Sequence, residues 1–130
     1  MDRTYLLDTH AFLWFLSGDA RMSSIPRGII SDPKNRCFIS IASIWEMAIK
    51  IKIGKLDLSF GLSEVVTHLS RNSIEVLPIT FEHILETMKL DDHHRDPFDR
   101  LIIAQARCER ITIITKDENF SRYASLKLIW

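Results

Sequence analysis

A chain of 130 residues, 46% hydrophobic and 26% charged, has the size and composition of one globular domain with a buried core, read as a single unit over 1–130. Lys+Arg and Asp+Glu balance at 17 each, which excludes a global positive field as a means of attracting nucleic acid, so polyanion binding requires a local patch. No apolar run approaches the ~18 residues of a membrane span, and Cys37 and Cys108 form neither a CxxC nor a Cys/His spacing.

Both cysteines sit in apolar contexts and read as reduced core residues, which points to the cytoplasm and away from a zinc site. The start, Met1-Asp2-Arg3-Thr4, runs straight into a strand-like segment, so no signal peptide is expected. No repeat, low-complexity tract or Pro/Gly/Ser-rich linker divides the chain.

In chain order, Thr4–Asp8 reads as a short strand, Ala11–Ser17 as a helix closed by Gly18, and Ser23–Ser31 as a short helix. Arg36–Ser40 is β-rich, and Ala42–Gly54 is a helix stopped by glycine. Leu62–Asn72 spaces Val65, Val66 and Leu69 as a helix does, and the strand "SIEVLPI" follows. Thr80 is placed to cap a helix over Thr80–Leu90, with apolar residues at Phe81, Ile84, Leu85 and Met88. A further helix follows Asp96 and leads to the strand Ile111–Thr115; a short helix begins near Asp117, and "LKLIW" closes the chain. Strands alternating with helices predict crossover connections, hence a three-layer α/β/α domain around a mostly parallel sheet of four or five strands.

Ligands in such sheets gather at the carboxyl ends of the strands. Asp8 closes the first strand and Asp117 follows the strand at 111–115. Glu46 lies one turn into the helix after Arg36–Ser40, and Asp99 lies in the first turn of the helix before Ile111–Thr115. All four acids can face one edge of the sheet. Each has a structural reading as well: Asp8 as a helix cap, Glu46 as half of an i,i+4 pair with Lys50, and Asp117 as a cap or turn former. In "HHRDPFDRLIIAQA", Asp96 before Pro97 is the expected cap, and Asp99 falls where an acid also favours the helix dipole. Local chemistry alone leaves open which of these two aspartates does chemistry. Like charges gathered at one edge raise one another's pKa, and a hard divalent cation such as Mg²⁺ or Mn²⁺ relieves the repulsion. Such ions activate water and stabilise the oxygens of an in-line phosphoryl displacement. No Walker A loop, GxGxxG or GxSxG is present.

The segments "LLDTHAFLW", "SIASIWEMAIKIKIGKL", "HHRDPFDRLIIAQA" and "IITKDENF", in this order and spacing, resemble the PIN-domain ribonucleases, above all the VapC-type toxins of bacterial toxin–antitoxin pairs. The likeness runs from Tyr5 to about Tyr123. It implies an acidic, Mg²⁺- or Mn²⁺-dependent endoribonuclease site holding one or two ions, a homodimer, and a small cognate antitoxin whose tail fills the groove. Carried over position by position, the family's acids fall on Asp8, Glu46, Asp99 and Asp117. Its hydroxyls before the second and fourth acids fall on Ser40 and Thr115. Asp96 matches a recurrent acid of the subgroup, and Asn119 stands where many relatives carry a further acid.

Lys50 and Arg100 are the basic residues best placed to hold RNA phosphates; Lys52, Lys55, Arg95 and Lys116 also flank the acids. Trp14 and Trp45 follow helical apolar spacing and read as core or dimer-interface residues, and His10 is close enough to Asp8 to line the site. His93 and His94 lack metal-ligand spacing and read as a solvated loop or as contacts to RNA or antitoxin. The leading expectation is a metal-dependent endoribonuclease acting as a toxin. The alternative is a catalytically silent PIN-like module that uses the same groove to bind RNA or protein.

Overall fold

The computed structural model describes residues 3–130, so Met1 and Asp2, on which part of the reading of the start rests, lie outside the described residues. Five strands, β1 (Thr4–Leu7), β2 (Arg36–Ser40), β3 (Ile74–Leu77), β4 (Thr112–Ile114) and β5 (Leu128–Ile129), form one sheet in the order β3-β2-β1-β4-β5. Every pairing is parallel. The helices are α1 (Thr9–Ser17), α2 (Ser24–Ser31), α3 (Ile41–Lys52), α4 (Val65–Arg71), α5 (Phe81–Thr87) and α6 (Pro97–Glu109). Short 3₁₀ turns precede α4 at Leu62–Glu64 and follow β4 at Glu118–Arg122. The α/β/α architecture expected from the sequence is thus present, with a wholly parallel sheet.

Register and side-chain alternation build the layers. Leu6 sits opposite Phe38 and Ile113, and Leu7 opposite Ile39 and Ile114. Successive residues point to opposite faces, so Leu6, Phe38 and Ile113 join one core with Ile102, Ile103 and Phe120. Leu7, Ile39 and Ile114 join the other with Phe12, Met47 and Leu69. Both faces are covered, which is why the central strands read as continuous apolar runs.

The strand order also fixes where a site can form. From β1 the chain builds outward to β2 and β3, then returns to the other side of β1 as β4 and β5. The direction therefore switches between β1 and β4, and the crevice at their carboxyl ends opens there. Asp8 follows β1 directly and Thr115 to Asp117 follow β4. Among the described residues, no helix is long and apolar enough to cross a membrane.

Local chemistry sets the helix ends. Asp8 is extended (φ −73°, ψ 170°) and its carboxylate accepts the Ala11 N–H, while Gly18 at φ 67° ends α1 in the left-handed conformation that glycine tolerates. Asp96 accepts from the Phe98 and Asp99 amides, with Pro97 in the first turn of α6. Two sequence expectations need correction. Trp45 is 61% exposed, with its ring edge-on to Phe98 at 5.4 Å, so of its two readings, core or dimer interface, the core one is wrong. Cys108 is only partly buried, on the α5-facing side of α6, where its Sγ meets the Glu82 carbonyl. The apolar residues of α5 face outward: Phe81 is 72% and Met88 81% exposed, and the buried residue of that helix is His83. Periodicity found the face of α5 but not its direction, because α5 packs on α6 through a polar seam.

Candidate active site

The cleft is assembled from residues that first serve the backbone. Asp8 is 4% exposed and holds two hydrogen bonds at once: Oδ1 accepts the Ala11 amide at 2.8 Å, and Oδ2 accepts the Thr115 hydroxyl at 2.5 Å. The same Thr115 oxygen accepts the Asp117 amide at 3.0 Å, tying the turn after β4 to the carboxylate after β1. Asp117 Oδ1 in turn accepts the Asn119 amide at 2.9 Å and caps the 3₁₀ turn. Asn119 thus meets Asp117 through its backbone amide.

On the β2 side, Ser40 is fully buried and accepts the Ala42 amide at 3.0 Å, so its hydroxyl acts as the cap of α3. Glu46, one turn further along, is 4% exposed, and its two oxygens are divided. Oε1 accepts the Thr9 hydroxyl at 2.7 Å, and Oε2 pairs with Lys50 Nζ at 2.9 Å. The Ser43 hydroxyl stands 2.8 Å from that of Thr9. Thr9 has one proton and spends it on Glu46, so Ser43 supplies the other. Thr9 and its role escaped the sequence reading; its place directly after Asp8 at the strand end is the signal that could have found it.

Asp99 projects from the first turn of α6, and Asp96 lies one turn earlier as the cap. Burial is the main cause that pushes the Asp99 carboxyl up to about 8, and the negative charges of Asp96, Glu46, Asp8 and Asp117 push it further the same way. That coupling places the four predicted acids in one electrostatic neighbourhood. Asp8 is also shifted upward, by its own burial, against the hydrogen bonds from Thr115 and Ala11. The arrangement concentrates carboxylates where they destabilise one another's charged forms.

A groove of about 500 Å³ opens beside the acids, walled by Asp8, His10, Trp14, Arg21, Lys116, Asp117 and Glu118. Trp14 is half-buried in its wall, edge-on to Trp130 at 5.7 Å and covered by the Arg21 guanidinium at 4.8 Å. Lys50 reaches the acids from α3. Arg100 faces elsewhere: its terminal nitrogens donate to the carbonyls of Thr87, Leu90, Asp91 and His94 and to the Tyr123 hydroxyl. Of the two expected phosphate contacts, only Lys50 therefore stands at the cleft. His94 is largely buried under that loop, 3.4 Å from Asp99 Oδ2.

Among the described residues, no three His, Cys, Asp or Glu side chains stand as a ready-made cation cage. Glu46 is paired with Lys50 and Asp8 with Thr115. The donor chemistry nevertheless fits a hard divalent ion. It consists of oxygen alone, it is buried, and its charge repulsion is of the kind a cation relieves.

Solved structures share this fold along nearly the whole chain. VapBC2 from Rickettsia felis, bound to a fragment of its promoter DNA, superposes with a TM-score of 0.73 at 19% identity, covering 97% of each chain. DNA-bound VapBC from Salmonella typhimurium gives 0.72 at 16% identity, covering 99% of this chain and 98% of that one. VapBC-1 from nontypeable Haemophilus influenzae gives 0.70 at 20% identity, covering 97% and 96%. Among curated proteins, none matches. The family model of the PIN domain matches residues 5–126, a span that contains every acid of the cleft, and the chain belongs to the PIN domain family.

Proposed function

We propose that this protein is a divalent-metal-dependent endoribonuclease, the toxin of a toxin–antitoxin pair acting in the cytoplasm. The observation that carries the reading is the shared electrostatic neighbourhood of Asp8, Glu46, Asp99 and Asp117 at the switch point between β1 and β4. Asp8, Asp99 and Asp117 would hold one or two Mg²⁺ or Mn²⁺ ions, with Glu46 as a further acid. The ion would supply activation of a water molecule and neutralisation of charge at the scissile phosphate.

The protein's own groups do the rest. Thr115 fixes the Asp8 carboxylate and the Asp117 turn together, so two acids from different strands keep one spacing. Thr9 and Ser43 hold Glu46 at its position on α3, and Lys50 is free to exchange that carboxylate for a substrate phosphate. The groove at Trp14 and Lys116 is open enough to admit single-stranded RNA beside the acids. Exposed apolar side chains on α5 (Phe81, Ile84, Leu85, Met88) and on α3 (Ile41, Trp45, Ile49) support partner surfaces, consistent with a homodimer and a small antitoxin. The neighbouring VapBC structures are toxin–antitoxin complexes of the same fold, which supports the same kind of partner here.

The test is cleavage of single-stranded RNA, structured RNA, DNA and a phosphomonoester offered in parallel, with Mn²⁺, with Mg²⁺ and with EDTA. Cleavage confined to RNA, lost in EDTA and lost in Asp8→Asn, is expected. Cleavage that survives EDTA and the substitution contradicts the mechanism. RNA binding without cleavage, unchanged when the acids become amides, returns the silent-module alternative.

A further inference from the structure

His94 is a largely buried polar side chain beside the cleft that the proposed reaction leaves unused. Its ring is only 13% exposed, and its Nε2 is fully buried with no fitted hydrogen-bond partner among the described residues. Asp99 Oδ2 lies 3.4 Å from it. The other ring nitrogen, Nδ1, lies 2.7 Å from the Tyr123 hydroxyl. An Arg100 N–H donates to that same hydroxyl oxygen at 3.2 Å.

The direction of each bond follows from the donors available. Arg100 has only protons to give, so the Tyr123 oxygen accepts from it, which leaves the phenol proton available to His94 Nδ1. A neutral imidazole that accepts at Nδ1 carries its proton on Nε2. In that tautomer the proton is on the nitrogen that lies 3.4 Å from Asp99 Oδ2. The opposite tautomer would turn a lone pair toward Asp99 in its ionised, cation-binding form.

We propose that His94, set in its tautomer by Tyr123 and Arg100, is a positioning residue that orients the Asp99 carboxylate for a divalent cation. The proposal rests on the metal-dependent reading of the site. It also accounts for Arg100, whose donors gather the loop carbonyls of Thr87, Leu90, Asp91 and His94 and so hold the histidine against α6. Ring packing supports the same placement, with His94 at 5.5 Å from Tyr123 and 6.4 Å from Phe120. The brace thus links three parts of the chain: the loop before α6, the first turn of α6 and the end of the 3₁₀ turn after β4. Outer groups of this kind hold a ligating oxygen in one orientation, and their removal typically weakens metal affinity by about 10–100-fold.

Calorimetric titration of Mn²⁺ into the purified protein, without RNA, tests this directly, with RNA cleavage measured alongside across a range of Mn²⁺ concentrations. Tyr123→Phe keeps the ring and removes only the hydroxyl, and His94→Gln keeps an N–H donor within reach of Asp99. Tyr123→Phe and His94→Ala are expected to weaken Mn²⁺ binding by about 10-fold or more, with His94→Gln recovering part of the loss. Their cleavage defect should be in kcat at low Mn²⁺ and shrink as Mn²⁺ is raised, with KM for RNA unchanged. A ¹⁵N spectrum of the wild-type imidazole should show the proton on Nε2. Equal Mn²⁺ affinity in wild type and in both Tyr123→Phe and His94→Ala, each folded by circular dichroism, overturns the positioning role alone. Failure of the wild type itself to bind Mn²⁺ overturns the metal reading and this proposal with it.

Discussion

Two buried polar regions of this molecule obey opposite rules. In the seam between α5 and α6, polar groups meet complementary partners. His83 is 1% exposed; its Nδ1 accepts the Thr80 amide at 3.0 Å, which leaves the proton on Nε2 to donate to Glu109 Oε2 at 2.8 Å. The Thr80 hydroxyl oxygen in turn accepts the His83 amide, completing a capping box in which histidine takes the place usually held by Glu or Gln. Arg107 pairs with Glu86 at 3.1 Å along the same seam. In the cleft, by contrast, like meets like, and the Asp99 carboxyl is driven up to about 8 by burial and by four other acids. The seam is arranged for stability. The cleft gathers acids whose charges add to burial in pushing the Asp99 carboxyl upward, a repulsion of the kind a bound cation relieves.

That contrast can be broken by substitution at either end. The largest effect is expected in the cleft: Asp99→Asn or Asp8→Asn should lower RNA cleavage by about 100-fold or more while leaving a folded protein, measured by initial rates with Mn²⁺ and by circular dichroism. The seam should show the reverse pattern. His83→Ala empties a buried position and strands the Thr80 amide, which should cost about 2–4 kcal/mol in urea unfolding. Cleavage per folded molecule should change little, and a large loss there would mean that the seam is part of the site.

The pH dependence of stability separates the regions further. The folded, metal-free protein holds the Asp99 proton up to about pH 8, whereas an unfolded carboxylate releases it near pH 4. Between those values the folded state binds more protons than the unfolded state, so stability should fall as pH rises and level off above about 8. Asp8, shifted upward by burial, adds in the same direction. Asp99→Asn should flatten this slope and raise metal-free stability at neutral pH, and denaturant titrations at several pH values measure both. A slope unchanged in Asp99→Asn would show that the cleft is not charge-frustrated. The smallest effect is expected for Lys50→Ala, which leaves Glu46 held by Thr9 and Ser43. It should weaken RNA binding several-fold with a reduced salt dependence and change stability by about 1 kcal/mol or less.

The alternation of strands and helices was legible in the residues, as were the caps at Asp8, Thr80 and Asp96, because these depend on near neighbours in the chain. Pro97 beside Asp96 marked the start of α6 unambiguously. The roles of Asp96 and Asp99 were not separable locally, since both sit in one helical turn and both carry the right chemistry for a cap. The structure separates them by burden: Asp96 accepts two backbone amides, and Asp99 is left facing other acids and His94. What the sequence hid were contacts across long separations. Thr115 with Asp8 spans 107 residues, and Thr9 with Glu46 spans 37. Arg100 was hidden for a related reason: its donations to the loop carbonyls of Thr87 and Asp91 are not legible from its place next to Asp99 in sequence.

The central claim is that the carboxylates at the β1–β4 switch point form one metal site. Crystals soaked in Mn²⁺ and measured at the manganese absorption edge test it most directly. An anomalous peak within coordination distance of Asp8, Asp99 and Asp117, lost in Asp99→Asn, is the predicted result. Absence of any peak among these acids at saturating Mn²⁺, or a peak bound only by other residues, would contradict it.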